Sequence, residues 1–291
     1  MGLSFEQIKH LRATDPAAVG KALANRKRRK IIEGDGNLFI LAADHPARGA
    51  LAVNGNPTAM GSRRELLSRF AEALKNPKVD GVLGTPDVLE DLALMGLLEG
   101  KITVGSMNRG GLRNSVFEFD DRYTSYTAAA IKSAGIDFGK NLMRINLEDP
   151  ATVRTLEKSA EVIDQCAALQ IPIMLEPFMS KWVDGKAVNE LTAEAVELSV
   201  AISSGLGSTS AYSWLKLPVV KEMERVMDAT TLPTLLLGGE GGNDQDQAFQ
   251  SWAQALALPG VKGLVVGRTL LYPKDDDVSA AVSLAANLVH K

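Results

Sequence analysis

The chain has 291 residues, 45% of them apolar and 23% charged, with a formal net charge of −3. That composition excludes wholesale disorder and fibrous repeats, supplies material for a sizeable core, and leaves no basic footprint for nucleic acid. One α/β barrel commonly takes ~250 residues, so the length requires no second domain.

A single cysteine, Cys166, excludes an intrachain disulfide and fits a reducing compartment. No run approaches the ~20 uninterrupted apolar residues of a membrane span. The opening MGLSFEQIKH lacks the apolar core of a secretory signal. A cytoplasmic protein without a membrane partner is expected.

The first 37 residues read as an N-terminal helical extension. Segment 21–30 (KALANRKRRK) carries six basic residues and reads as a solvated helix face, with an acidic partner as the alternative. Residues 38–291 then alternate short apolar runs with longer amphipathic ones. The predicted strands are Leu38–Ala43, Gly81–Thr85, Ile102–Gly105, Leu142–Asn146, Ile171–Glu176, Tyr212–Leu217, Thr234–Leu237 and Gly263–Val266. Nearly continuous Leu, Ile and Val is the signature of strands buried on both faces of a parallel sheet.

Helical spacing follows in 152–170, after the Asp149-Pro150 start signal, and again in 190–205, 219–231, 244–257 and 277–291. Eight strand-then-helix units predict a (β/α)8 TIM barrel. A doubly wound open sheet is the rival, but no G-x-G-x-x-G follows the first strand.

Reactive groups of such a barrel come from the C-terminal ends of its strands. That rule selects Asp44 and His45 after strand 1, Arg144 and Asn146 on strand 4, Glu176 on strand 5 and Lys216 on strand 6. Strands 7 and 8 end in Gly238-Gly239 and Gly267-Arg268. Lys216 lies in the otherwise apolar YSWLKLP. An amine among apolar walls loses proton affinity, and the neutral form attacks carbonyls to give a Schiff base. The competing reading is a structural ion pair of Lys216 with Glu176 or Asp44.

TLLLGGEGGND (234–244) and GLVVGRTLL (263–271) place glycines between a strand and a helix in consecutive units. Together they point to a phosphate site with Arg268 as a cationic clamp. The insertion 106–122 adds Arg109 and Arg113, which suit a second anionic substrate end or, alternatively, a solvated or oligomer-contacting loop. His45 with Asp44 and Glu176 falls short of a catalytic zinc set, so no metal and no other cofactor is expected. Cys166, Trp214, Leu215 and Leu217 read as packing.

LAADHPARGAL (41–51), WLKLP, LLLGGEGG and GLVVGRTLL, in that order, resemble the class I, Schiff-base aldolases. The nearest groups are the tagatose-bisphosphate and archaeal-type fructose-bisphosphate aldolases, with deoxyribose-phosphate aldolase further off. The resemblance covers roughly residues 38–271. It implies that Lys216 is the Schiff-base lysine, Asp44 and Glu176 the proton-transfer carboxylates, and Gly238, Gly239, Gly267 and Arg268 the phosphate segment. His45 and Arg109 join the expected substrate contacts.

Related aldolases often carry a second lysine on strand 4, and the sequence reading puts Arg144 in that place. The archaeal-type enzymes use a tyrosine where this chain offers Glu176. The implied activity is a metal-independent aldehyde-lyase of carbohydrate metabolism, acting on a phosphorylated ketose or keto acid. Fructose- or tagatose-bisphosphate, or a deoxy-keto-gluconate phosphate of inositol breakdown, are the substrate choices. A sugar-phosphate isomerase or epimerase and a non-catalytic sugar-phosphate sensor remain as other readings. Barrel aldolases tend to associate, so a homo-oligomer is expected.

Overall fold

The structure, a computed structural model, describes residues 2–238 and 245–290. Among these, nine strands form: β1 (Leu38–Ala43), β2 (Gly81–Gly84), β3 (Ile102–Ser106), β4 (Phe138–Ile145), β5 (Ile173–Val183), β6 (Lys186–Asn189), β7 (Ser213–Pro218), β8 (Thr234–Leu237) and β9 (Val261–Val266). All but β6 join a parallel ring in the order β1-β2-β3-β4-β5-β7-β8-β9, closed where β9 meets β1. This is the (β/α)8 barrel that the alternation predicts.

The strands are apolar throughout because both faces are covered. On β1, Leu38, Ile40 and Ala42 pack inside the barrel with Leu83, Val104, Phe138, Met174, Leu235 and Val265. The alternate residues Phe39, Leu41 and Ala43 join the outer core beneath the helices. Those helices include α1 (Phe5–Thr14) and α2 (Pro16–Ala24) before the barrel. The barrel itself adds α3 (Arg63–Ala73), α4 (Pro86–Leu94), α5 (Ala128–Ser133), α6 (Ala151–Ala168), α7 (Ala193–Ser204), α8 (Met223–Asp228), α9 (Gln245–Ala255), α10 (Arg268–Leu271) and α11 (Val278–Val289). In α6, Thr155, Ser159, Val162, Ile163 and Cys166 recur at helical spacing and are buried. Burial pushes the Cys166 thiol up to about 12, so it packs and does not react.

In the basic segment Lys21, Lys27 and Lys30 are exposed, as the solvated reading has it, but the three arginines are not simply solvated. Arg26 is buried and donates to Asp137 Oδ2 at 2.7 Å and to Thr103 Oγ1 at 2.6 Å. Arg28 takes the other oxygen of Asp137 at 2.7 Å, and Arg29 takes Asp80 at 2.5 Å. Asp80 and Asp137 stand just before β2 and β4, and each also accepts a strand N–H, from Phe39 and Thr103. The cations therefore close the N-terminal end of the barrel, and Ile31 packs against its interior.

Two boundaries differ from the sequence reading in ways that matter for the site. β4 starts at Phe138, not Leu142, and pairs with β5 from Gly139 onward. β5 runs past Glu176 into an antiparallel hairpin with β6, turned by Asp184 and Gly185, both at positive φ. That is the two-residue turn an Asp-Gly pair favours. Among the described residues no helix is long and apolar enough to cross a membrane.

Candidate active site

The C-terminal ends of the strands open onto a cavity of about 310 Å³, a size that suits a small ligand. A layer of charge forms its floor. Lys216 on β7 donates to Glu176 Oε1 on β5 at 2.6 Å. Lys140 on β4 lies 2.6 Å from the other oxygen, Oε2, and donates to Asp44 Oδ2 at 2.7 Å. Lys216, Glu176, Lys140 and Asp44 thus form a line of alternating sign.

Strand periodicity explains the grouping. Lys140, Glu176 and Lys216 each follow an inward apolar residue two positions earlier: Phe138, Met174 and Trp214. Phe138 and Trp214 meet edge to face, their centroids 5.4 Å apart. Two positions further on, Leu142 and Phe178 cluster with Leu237. The charged layer is therefore held between two apolar ones, which removes water from the amines.

The two lysines respond differently. Burial pulls Lys216 below the ordinary lysine range, and Lys140 adds repulsion; Glu176 and Asp44 oppose this without cancelling it. Burial also acts on Lys140, but the two carboxylates beside it more than offset that and raise its proton affinity. For Glu176 and Asp44, burial favours the neutral acid, yet the lysines outweigh it and hold both carboxylates ionised. Lys216 is the amine of the pair that gives up its proton more readily, because it touches one carboxylate and Lys140 touches two.

Above this floor, His45 has its Nδ1 3.7 Å from Asp44 Oδ1. Burial, with Arg268, Arg48 and Lys216 nearby, keeps the imidazole neutral despite Asp44. Arg268 lines the cavity and donates to Ala52 O at 3.4 Å. Gly238 and Gly267 line it too. A Cβ at Gly267 would stand 2.4 Å from Ala42 O, and one at Gly238 would stand 2.5 Å from Val266 Cγ1. Glycine is required at both by close strand packing, which also leaves backbone open to the cavity. Gly239 lies outside the described residues.

Arg144 lines the cavity and is buried, but it pairs with Glu118 of the loop after β3. The second cation beside Glu176 is Lys140, so the place that the sequence reading gave to Arg144 belongs to Lys140. Asn146 is buried just past β4, where its backbone bonds to Thr152, and does not line the cavity. Arg109 does not line it either. It is exposed, with its guanidinium on Thr124 Oγ1 and Ala47 O at 3.2 and 2.9 Å. Arg113 is likewise exposed. A further cavity residue that the sequence reading passed over is Arg48. Among the described residues no group of His, Cys, Asp and Glu is placed to hold a metal.

Residues 36–286 match the Cgl0159-like family model. The crystal structure of Cgl0159 from Corynebacterium glutamicum (Brevibacterium flavum) is 60% identical, with TM-score 0.96, and covers 98% of this chain and 96% of that one. An archaeal fructose-1,6-bisphosphate aldolase, solved with its catalytic lysine bound to the carbinolamine intermediate, is 18% identical over 94% of this chain and 100% of that chain, with TM-score 0.65. The fructose-bisphosphate aldolase of Slackia heliotrinireducens is 12% identical over 95% of this chain and 87% of that chain, with TM-score 0.64. These last two share the fold, an aldolase-like barrel. No curated protein matches. The chain belongs to the Cgl0159-like family.

Proposed function

We propose that the protein is a class I aldolase that makes or breaks a carbon–carbon bond in a phosphorylated ketose or keto acid through a Schiff base on Lys216. One observation carries this reading. Lys216 stands buried at the floor of the cavity, on a carboxylate whose other oxygen a second lysine holds. When Lys216 loses its proton, Lys140 still holds the other oxygen of Glu176.

The neutral Nζ adds to the substrate carbonyl to give a carbinolamine, and loss of water gives the protonated imine. Lys140, held charged between two acids, supplies the proton that lets the hydroxyl leave as water. Ionised Glu176 takes the proton from the hydroxyl on the carbon beyond the bond to be broken. The bonding pair flows to the imine nitrogen, which leaves an enamine and releases an aldehyde. Glu176 returns its proton to the enamine carbon, and water hydrolyses the imine to free the ketone and neutral Lys216, the proton released passing back to Lys140. Asp44 holds Lys140 in place. Arg268, with the open backbone at Gly238 and Gly267, anchors the phosphate, whose binding orients the reacting carbons.

The ion pair of Lys216 with Glu176 also favours a second reading, an isomerase in which Glu176 and Asp44 act as bases and Lys216 only as a charge. Borohydride reduction during turnover of candidate sugar phosphates separates the two. A stable adduct on the protein supports the aldolase. Turnover with no adduct supports the isomerase, and binding with neither leaves a sugar-phosphate sensor.

A further inference from the structure

The loop after β3 is locked to β4 at its base. Buried Asn108 accepts from Leu142 N at 2.8 Å and donates to Leu142 O at 2.7 Å, which continues the strand pairing where β3 has ended. Asp121, on the returning limb of the loop, accepts from Asn108 Nδ2 at 2.8 Å and from Gly110 N at 2.7 Å. Gly110, at positive φ, lies so close over Leu142 that a Cβ would stand 2.6 Å from its Cδ2.

The same loop reaches the turn after β1. Arg109 Nη1 donates to Ala47 O at 2.9 Å, and Arg113 N donates to Arg48 O at 2.9 Å. Those two carbonyls end a single turn of 3-10 helix, His45–Arg48. Its own bonds, from Gly49 N to Pro46 O and from Ala50 N to His45 O, leave both carbonyls over. A turn this short holds its shape poorly alone. It nonetheless carries three cavity residues, Asp44 at its start and His45 and Arg48 within it.

β1 and β4 lie three steps apart round the ring. Lys140 and Asp44 join them at the floor of the cavity, and the loop joins them again at the mouth. We propose that Arg109 is a positioning residue: as the outer end of this strap it fixes the turn after β1, and through that turn it sets Asp44 on Lys140. The role rests on the aldolase reading above, in which Lys140 supplies the proton that lets the carbinolamine hydroxyl leave. It replaces the substrate contact that the sequence suggests for Arg109.

The test follows adduct formation with dihydroxyacetone phosphate, quenched by borohydride at timed intervals. Arg109→Met removes the donors to Ala47 O and Thr124 Oγ1. Its trapping rate at saturating dihydroxyacetone phosphate is expected to fall about tenfold, the size of one hydrogen bond from a charged donor. The half-saturating concentration stays the same, because Arg268 still anchors the phosphate. Arg109→Lys, which keeps a charged donor for Ala47 O, recovers most of the rate. In Asp44→Asn the further change Arg109→Met has no added effect, since the strap acts through Asp44. An unchanged rate, a shift in half-saturation alone, or losses that multiply in the double variant overturns the strap while the aldolase stands. No adduct in the wild type removes the aldolase, and this role of Arg109 with it.

Discussion

Lys140 and Lys216 grip the same carboxylate, one ammonium on each oxygen of Glu176, both at 2.6 Å. They are not equivalent. Lys140 pairs directly with Asp44 as a second acid, whereas Asp44 acts on Lys216 without pairing with it, so Lys140 is held charged at rest and Lys216 is the more readily deprotonated. Pairs of titratable groups pushed apart in this way mark acid–base assignments.

Lys216→Met keeps similar volume in an apolar surround, and Glu176 retains Lys140. The variant is expected to lose aldol cleavage altogether while still folding, with a lower melting temperature because Lys140 is left as the one cation beside two buried carboxylates. Coupled assays of cleavage and a thermal melt, run on the same preparation, check both halves.

Lys140→Met strands Asp44 and Glu176 with one cation between them. Breaking a buried pair costs roughly 3–5 kcal/mol, readable as a lower urea midpoint. Removing the like charge also strengthens the hold of Lys216 on its proton, so the pH at which borohydride trapping sets in moves upward. A trapping profile that stays put contradicts the repulsion assigned to Lys140.

The carboxylates make stability depend on acid. Asp44 and Glu176 bind protons less tightly in the folded chain than in the unfolded one, where values of about 3.9 and 4.3 apply. The stability they contribute is present above those values and is lost as the pH falls through the lower, folded ones. Urea midpoints measured from pH 6 downward are expected to fall below pH ~4, less steeply in Asp44→Asn. Lys140 has the opposite sign, since its folded affinity is raised. Its contribution holds below about 10.4 and disappears as the pH rises through the folded value.

At the other end of the barrel, Arg26→Met leaves Asp137 with Arg28 alone, and Arg28 is exposed. A stability loss of about 3–5 kcal/mol follows, with the kcat of any turnover unchanged because the site lies at the far end of the strands. Calorimetry beside steady-state kinetics tests it.

The strand list was legible because LFILAA and TLLL are covered on both faces, which leaves an unbroken apolar run. Asp44, Glu176 and Lys216 were legible for a related reason: strand ends of a barrel point to one mouth. Lys140 escaped because FGKN, with glycine and asparagine, reads as a turn. Pairing on both sides, with Val104–Ser106 of β3 and with Ile173–Leu175 of β5, draws those residues into β4. The Asp184-Gly185 hairpin had a clear local signal that a strand ended at Glu176 obscured. Arg109 looked suited to an anion, but its partners, the Ala47 carbonyl and Thr124, have no sequence signature. The arginines of the basic segment misled for the same reason, since Asp80 and Asp137 are far along the chain.

The most direct measurement is borohydride reduction in the presence of dihydroxyacetone phosphate, followed by digestion and mass mapping of the peptides that bear Lys216 and Lys140. The adduct is expected on Lys216 alone, with Lys140 unmodified. An adduct on Lys140, or turnover with neither lysine modified, would contradict the assignment of Lys216 as the nucleophile.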